Sequence, residues 1–416
     1  MADAARLRAD AAVIRAAAIT AVDPARLVAD RLADAGLGST SGGRIVVVGA
    51  GKAAAAMAAG VEASLGDERH RVTGLVSVPA GAWRRLERIE ARETRSAGRN
   101  LPTPEVERAT HEMLALVGGL GAADLAIAVI SGGGSALLEA PRSGVTLADM
   151  IALTGRLMAA GADIGMLNTA RRERSAVKGG GLARACRAGR LVVLVLSDVI
   201  GDDLDVIASG PCMPRVATVP PGAWTTPAGC AVRHILVGTN ATAVDAAAAA
   251  ARGLGYDARV RHALVNSPTQ ATADEVGRRL AGEARDLAAE VARDGRPRAV
   301  VEGGESTVVL PVNHGRGGRN QQTVLAAVDE TIAAGGWPAG VLLESLGTDG
   351  EDGPTDAAGG LADAAVAAAI TAAEIDLDAA VARRDAYPVL AQAGGLVVTS
   401  PTGTNVADLR FILASR

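Results

Sequence analysis

The chain has 416 residues, enough for two domains that each bury a core of their own. Its 42 basic residues stand against 46 acidic ones, a net charge of −4. That balance excludes a general nucleic-acid binder, which shows a basic excess or stripe. One Phe, two Tyr and three Trp offer no aromatic platform for stacking bases, so a bound adenine would lie between aliphatic side chains and backbone.

Residues 2–36 read as two alanine-rich helices, the second starting at Asp23-Pro24. Asp3, Arg6, Arg8, Asp10 and Arg15 interrupt the alanines, so a signal peptide is not expected there. Arg44-Ile-Val-Val-Val48 is a short apolar run suited to a buried parallel strand. Gly49-Ala-Gly51 turns it, and Lys52 is expected to open a helix. Gly74–Val78, Leu125–Ile130 and Leu191–Leu196 read as the next strands, ending in Val78-Pro79, Ser131-Gly-Gly-Gly-Ser135 and Ser197-Asp198. Thr218–Ala228 holds three prolines and reads as a surface connection. His234–Gly238 then starts a fresh series, continued by strands at Arg298–Glu302, Val341–Glu344 and Gly395–Thr399. Strands alternating with helices predict an α/β fold of two domains, residues 1–230 (Rossmann-like) and 231–416, with mainly parallel sheets. No apolar run approaches the ~20 residues that span a membrane.

The loops after these strands carry the chemistry. In open α/β sheets ligands bind beyond the carboxyl ends of the strands, which places Lys52, Ser131–Ser135 and Asp198 along one rim. Gly49-Ala-Gly51-Lys52-Ala53-Ala54 fits the dinucleotide pattern G-x-G-x-x-A, but the following strand ends in Val78-Pro79 with no acid for a ribose. A lysine at a helix start opposes the helix dipole unless it shares an anion with the helix N–H groups. The three glycines Gly132, Gly133 and Gly134, flanked by Ser131 and Ser135, read as a cradle for phosphate or carboxylate, or as a flexible turn. No G-x-x-x-x-G-K-[ST] sequence occurs. Lys178, ahead of Gly179–Gly181, reads as an anion-site candidate, while Arg171, Arg172 and Arg174 also fit a solvated helix face. Asp198 is a candidate general base, with a helix cap as the plainer alternative.

Further along, Gly315-Arg-Gly-Gly-Arg-Asn-Gln321 and Gly347-Thr-Asp-Gly-Glu-Asp-Gly-Pro-Thr-Asp356 combine glycines, a cation, amides and acids. Arg319 can grip a phosphate or carboxylate bidentately, and Asp349 and Asp352 can hold a hard cation such as Mg²⁺ or brace their own loop. Thr348, Asn320, Gln321, Thr402 and Asn405 add hydroxyl and amide groups for binding. The five histidines show no metal spacing, and Cys186, Cys212 and Cys230 are odd in number, which fits a reduced, cytoplasmic setting.

These residues resemble a known family. VVVGAGKAA (46–54), SGGGSALL (131–138), LSDVIGDD (196–203), IASGP (207–211), GRGGRNQ (315–321), GTDGEDGPTDAAG (347–359) and PTGTN (401–405) are similar, in order and over almost the whole chain, to the glycerate 2-kinases with a MOFRL-type C-terminal domain. The resemblance implies two α/β domains with an active-site cleft between them, and ATP-dependent phosphorylation of the 2-hydroxyl of D-glycerate with Mg²⁺. It implies Lys52 on the transferred phosphate or the substrate, Asp198 as base, and Arg319 stabilising anionic charge; Gly51 and Ser131–Ser135 join the phosphate-binding set. Three departures stand out: Asn100-Leu-Pro where many relatives have His-Pro, Glu173 where a His is usual, and Gly181 where an Arg is usual. They leave a related sugar acid or specialised metabolite open as the acceptor. A hydroxypyruvate-reductase-type NAD(P)H enzyme and an inactive ligand-binding relative are the rival readings. No nucleic-acid or membrane partner is expected, and a homodimer is one assembly open to the chain.

Overall fold

The computed structural model describes residues 2–34, 42–96, 101–161, 164–214 and 223–416. Asn100 and the first half of the proline-bearing connection, 218–222, lie outside the described residues. The chain forms two compact units. One comprises Asp23–Thr239 and Gly403–Asn405; the other comprises Met1–Val22, Asn240–Thr402 and Val406–Arg416.

The first unit is built on a seven-stranded sheet of β1 (Ile45–Ala50), β2 (Val72–Pro79), β3 (Ile89–Arg95), β4 (Leu125–Ile130), β5 (Arg190–Leu196), β6 (Ala223–Thr225) and β7 (Ala231–Gly238). The order is β3-β2-β1-β4-β5-β7-β6, and only the β6–β7 pair is antiparallel. The chain builds outward from β1 to β2 and β3, then returns to β4 on the other side of β1. The order therefore reverses between β1 and β4, which makes their carboxyl ends a topological switch point. Every residue of β1 and β4 is buried, as a central parallel strand covered on both faces demands. Val46, Val48, Ile130, Val193 and Val195 pack against Met113 and Leu182. On the helical layer, Pro104 takes the first turn of the helix Pro104–Gly118, and the Thr103 hydroxyl accepts from Val106 N at 3.2 Å.

The second unit holds a six-stranded sheet of β8 (Asp257–Arg261), β9 (Arg298–Gly304), β10 (Val341–Gly347), β11 (Gly359–Ala362), β12 (Leu396–Val397) and β13 (Asp408–Ala414). Its order is β12-β11-β10-β13-β9-β8. Here β8–β9 is the parallel pair; β13 returns between β9 and β10, antiparallel to both. The continued parallel series read from the sequence thus extends to β8 and β9 only. A buried apolar run looks alike in either direction, and the connections decide which is built. Val276, Leu280 and Leu287 of the long helix Ala273–Asp294 pack on Val300, Leu343 and Ile412.

The units change at Thr239/Asn240, so β7 completes the first sheet although its residues follow the expected boundary at 230/231. The N-terminal helix Ala2–Ala21 joins the second unit through ion pairs Arg8–Asp363 and Arg15–Glu344, each at 2.6 Å, and through the Tyr256 hydroxyl donating to Asp10 at 2.7 Å. Among the described residues no helix is long and apolar enough to cross a membrane.

Candidate active site

In the first unit the switch point gathers much of the expected set. Gly51 has φ +140°, and a Cβ there would stand 2.1 Å from Ser131 Oγ, so this turn admits only glycine. The Ser131 hydroxyl accepts from Ala53 N at 3.1 Å, and Lys52 N donates to Gly132 O at 2.9 Å. These bonds lock the loops after β1 and β4 together. The helix itself starts at Ala54, with Ala53 as its cap. Lys52 therefore lies in the turn before the helix, not in its first turn as the sequence implied.

Asp198 follows β5, the next strand of the sheet. A Cβ on Gly132 would fall 2.0 Å from Asp198 Oδ2 and 2.5 Å from Asn405 Nδ2. Asn405 Nδ2 donates to Asp198 Oδ2 at 3.1 Å. Gly132 is thus bare where a carboxylate and an amide converge on the loop. The next glycine, Gly133, is left-handed at φ +75°; the position of its absent Cβ lies 3.7 Å from Lys52 Cγ and 4.0 Å from Arg95 Nη2. Arg95, at the end of β3 and buried, is a second cation beside the loop.

Ser135 and Lys178 have different surroundings from those expected. The Lys178 side chain is 0% exposed, and its ammonium donates to Ser135 O (2.8 Å) and Leu138 O (2.6 Å) and pairs with Glu139 (3.1 Å). Burial pushes its pKa down, and Glu139 works the other way. Lys178 is a pin for the segment after the glycine loop, and its anion-site reading gives way to that role. Ser135 Oγ lies 2.9 Å from Ser209 Oγ, which donates to Asn168 Oδ1 at 3.0 Å. Ala208 and Ser209 both have positive φ, 51° and 61°, a strained pair that aims this turn at the loop. Of the departures from the family pattern, Glu173 is exposed beside Arg174, and a Cβ on Gly181 would stand 2.0 Å from Ala176 O.

The rest of the expected set lies in the second unit, at the start of the helix Arg319–Ala333. Asp352 is buried, and its two carboxylate oxygens accept from Asn320 N (3.0 Å) and Gln321 N (2.8 Å). It caps the helix; burial outweighs the backbone donors and pushes its pKa up to about 7. A carboxylate spent on two backbone N–H groups is a poor Mg²⁺ ligand, so the metal reading of Asp352 is replaced by capping. Asp349 Oδ1 accepts from Glu351 N at 3.0 Å, a bond within its own loop. Asn320 Nδ2 donates to Asp408 at 3.0 Å and its Oδ1 accepts from Ser345 at 2.6 Å, while Gln321 Nε2 donates to Thr355 at 2.9 Å. Asn320 thus links β10 to the start of β13, and Gln321 braces the loop Gly347–Asp356.

Thr348 and Thr402 also fasten loops. Thr348 Oγ1 donates to Ala407 O (2.8 Å), and Thr402 Oγ1 donates to Thr348 O (2.6 Å). Arg319 forks onto Asp408, with Nε 2.9 Å from Oδ2 and Nη2 2.9 Å from Oδ1, while Nη1 reaches Glu305 at 2.9 Å. Burial opposes its charge, yet Asp408 and Glu305 hold its pKa above the usual arginine value. The side chain is 34% exposed, while all three guanidinium nitrogens are bonded to Asp408 and Glu305. Behind it, fully buried Arg410 sits between Asp408 (3.4 Å) and Glu302 (3.3 Å). Asp408, Arg410, Arg95, Ser209 and Asn168 escaped the sequence reading. Ser209 was visible only as part of a turn, and the others stand outside any glycine-rich loop.

A profile of the family described as "Domain of unknown function (DUF4147)" matches residues 10–226, and one described as "MOFRL family" matches residues 298–408. D-glycerate 2-kinase of Thermotoga maritima is 36% identical, covering 94% of both chains. The chain belongs to the glycerate 2-kinase family. An Agrobacterium vitis relative, 39% identical over 95% of this chain and 92% of its own, carries a provisional hydroxypyruvate-reductase name. A glycerate kinase crystal structure from Thermotoga maritima superposes with a TM-score of 0.82 at 33% identity, covering 98% of this chain and 99% of that one. Glycerate 2-kinase family membership thus extends over both units.

Proposed function

We propose that the chain transfers the terminal phosphoryl group of ATP to the 2-hydroxyl of D-glycerate or a closely related hydroxy acid. The observation that carries this reading is the convergence of Lys52, Gly132 and Asp198 at the carboxyl ends of β1, β4 and β5, beside the switch point. Asp198 takes the proton from the attacking hydroxyl, and Asn405 fixes its orientation through Oδ2. Lys52 and the glycine loop meet the anionic charge at this site. Phosphoryl transfer needs little covalent chemistry from a protein, so positioning and charge neutralisation are its main demands.

Among the described residues no group of three or more His, Cys, Asp or Glu side chains is arranged to hold a metal. Mg²⁺ would enter as a metal–nucleotide complex, which needs one or two protein carboxylates, and Asp349 is the carboxylate proposed to hold it. When bound, it neutralises phosphate oxygens and polarises the phosphorus toward attack. The reductase alternative lacks an anchor: β2 ends in Ser77-Val78-Pro79, with no acid for the adenosine ribose of a dinucleotide. Three buried free thiols fit a reduced, cytoplasmic setting.

A coupled ADP-release assay with Mg-ATP and a panel of hydroxy acids tests the reading. D-glycerate is expected to turn over. Asp198→Asn is expected to lower kcat by about 10²–10⁴, the usual worth of a general base, and Lys52→Ala to abolish turnover with the fold retained. Full activity in either variant would remove that residue from the mechanism, and NADH-dependent reduction of hydroxypyruvate without any ADP release would replace the kinase by the reductase.

A further inference from the structure

The chain Ser135–Ser209–Asn168 fixes the direction of its protons. A serine hydroxyl has one proton and two lone pairs. Ser209 Oγ donates to Asn168 Oδ1 at 3.0 Å, so its proton is spent. Toward Ser135, 2.9 Å away, Ser209 is left as an acceptor, and Ser135 must donate. The Ser135 oxygen then has only lone pairs to offer anything else. Ser209 is fully buried and Asn168 is 3% exposed, so water does not readily reverse the chain; Ser135 itself is half-buried on the glycine loop.

This polarity changes what Ser135 can recognise. Phosphate and carboxylate oxygens are acceptors and would meet lone pairs there. A hydroxyl or ammonium group is the matching partner. Ser135 lies three residues beyond Gly132, whose bare face meets Asp198. Lys178 and Asn168 hold it from behind, the first through the Ser135 carbonyl at 2.8 Å and the second through Ser209.

Resting on the kinase reading above, we propose that Ser135 is a specificity-determining residue. It accepts a hydrogen bond from a hydroxyl of the acceptor substrate other than the one that is phosphorylated. A simple 2-hydroxy acid, which lacks that second hydroxyl, is then disfavoured relative to glycerate.

The test uses the full chain and measures kcat/KM for D-glycerate and for two analogues. In one, hydrogen replaces the 3-hydroxyl (lactate); in the other, fluorine replaces it, filling the space and accepting weakly but unable to donate. An analogue too slow to follow is measured as a competitive inhibitor of glycerate phosphorylation. Wild type is expected to disfavour both analogues by about tenfold or more, the worth of one hydrogen bond to a polar site. Ser135→Ala is expected to lower the glycerate value about tenfold, mostly through KM, and to leave both analogues within about twofold. An equal fall for all three would make Ser135 a loop support and overturn the proposal. A fluoro analogue as good as glycerate would show that Ser135 donates and overturn it too. Glycerate turnover with an unchanged ratio in Ser135→Ala removes this inference alone, whereas turnover of no hydroxy acid by wild type removes the kinase reading and this inference together.

Discussion

At the scale of single residues, charge burial separates scaffold from chemistry. Lys178 reads as an anion ligand because it precedes three glycines, yet its ammonium is held by Ser135 O, Leu138 O and Glu139 inside the fold. Lys178→Met would strand Glu139, which is 3% exposed, and is expected to cost about 3–5 kcal/mol in denaturant unfolding. Adding Glu139→Leu is expected to restore most of that loss. A stable Lys178→Met protein with a raised KM would instead return Lys178 to the ligand. The sequence exposes Gly51, Ser131 and Asp198 readily, because strained turns and strand-end acids leave short local patterns. It hides Arg95 and Asp408, whose importance comes from neighbours far away in the chain. Asn405 was legible only as one amide in a polar loop; its bond to Asp198 spans 207 positions.

At the scale of elements, all the strands foreseen from buried apolar runs are present apart from the stretch 395–399, where only Leu396–Val397 is strand. β3 was missed: Ile89-Glu-Ala-Arg-Glu-Thr-Arg95 is a charged edge strand, and edges tolerate polarity that central strands do not. The helix Arg319–Ala333 shows the converse. Its glycine-rich approach reads as a ligand loop, while the partner of its first N–H groups, Asp352, arrives 31 residues after Gln321. Asp352→Ala is expected to lower stability by about 1–2 kcal/mol in metal-free buffer, as the loss of a helix cap does. The Mg²⁺ concentration giving half-maximal activity should stay the same. Unchanged stability with a tenfold greater Mg²⁺ requirement would make Asp352 a metal ligand after all.

For the whole molecule, buried carboxylates tie stability to pH. Burial pushes Glu344 up to about 7, and Arg15 only partly counters it. The folded protein then holds a proton that the unfolded chain releases near pH 4.5, so this contribution is complete at low pH and is lost as pH rises through 7. Asp352 acts in the same direction. His234, pushed down to about 4 by burial, acts oppositely: its contribution is present above 6.5 and lost as pH falls toward 4. Glu344→Gln isolates one member of this set. It is expected to match wild type near pH 5 and to exceed it near pH 8 by on the order of 3 kcal/mol. Denaturant melts at the two pH values check this, and a variant that is less stable at pH 8 would make the Arg15 pair the stronger influence.

The N-terminal helix and the Gly403–Asn405 segment have a consequence for how the protein is made. On the ribosome, Arg15 emerges first and waits 329 residues for Glu344. Asp198 waits 207 residues, and later still into synthesis, for Asn405. Neither unit can finish in the order in which its chain appears, and such distant pairings slow folding. A nascent chain halted at residue 402 would carry the loops after β1, β4 and β5 and still lack the amide that meets Asp198, so this cluster would be completed only when Asn405 appears.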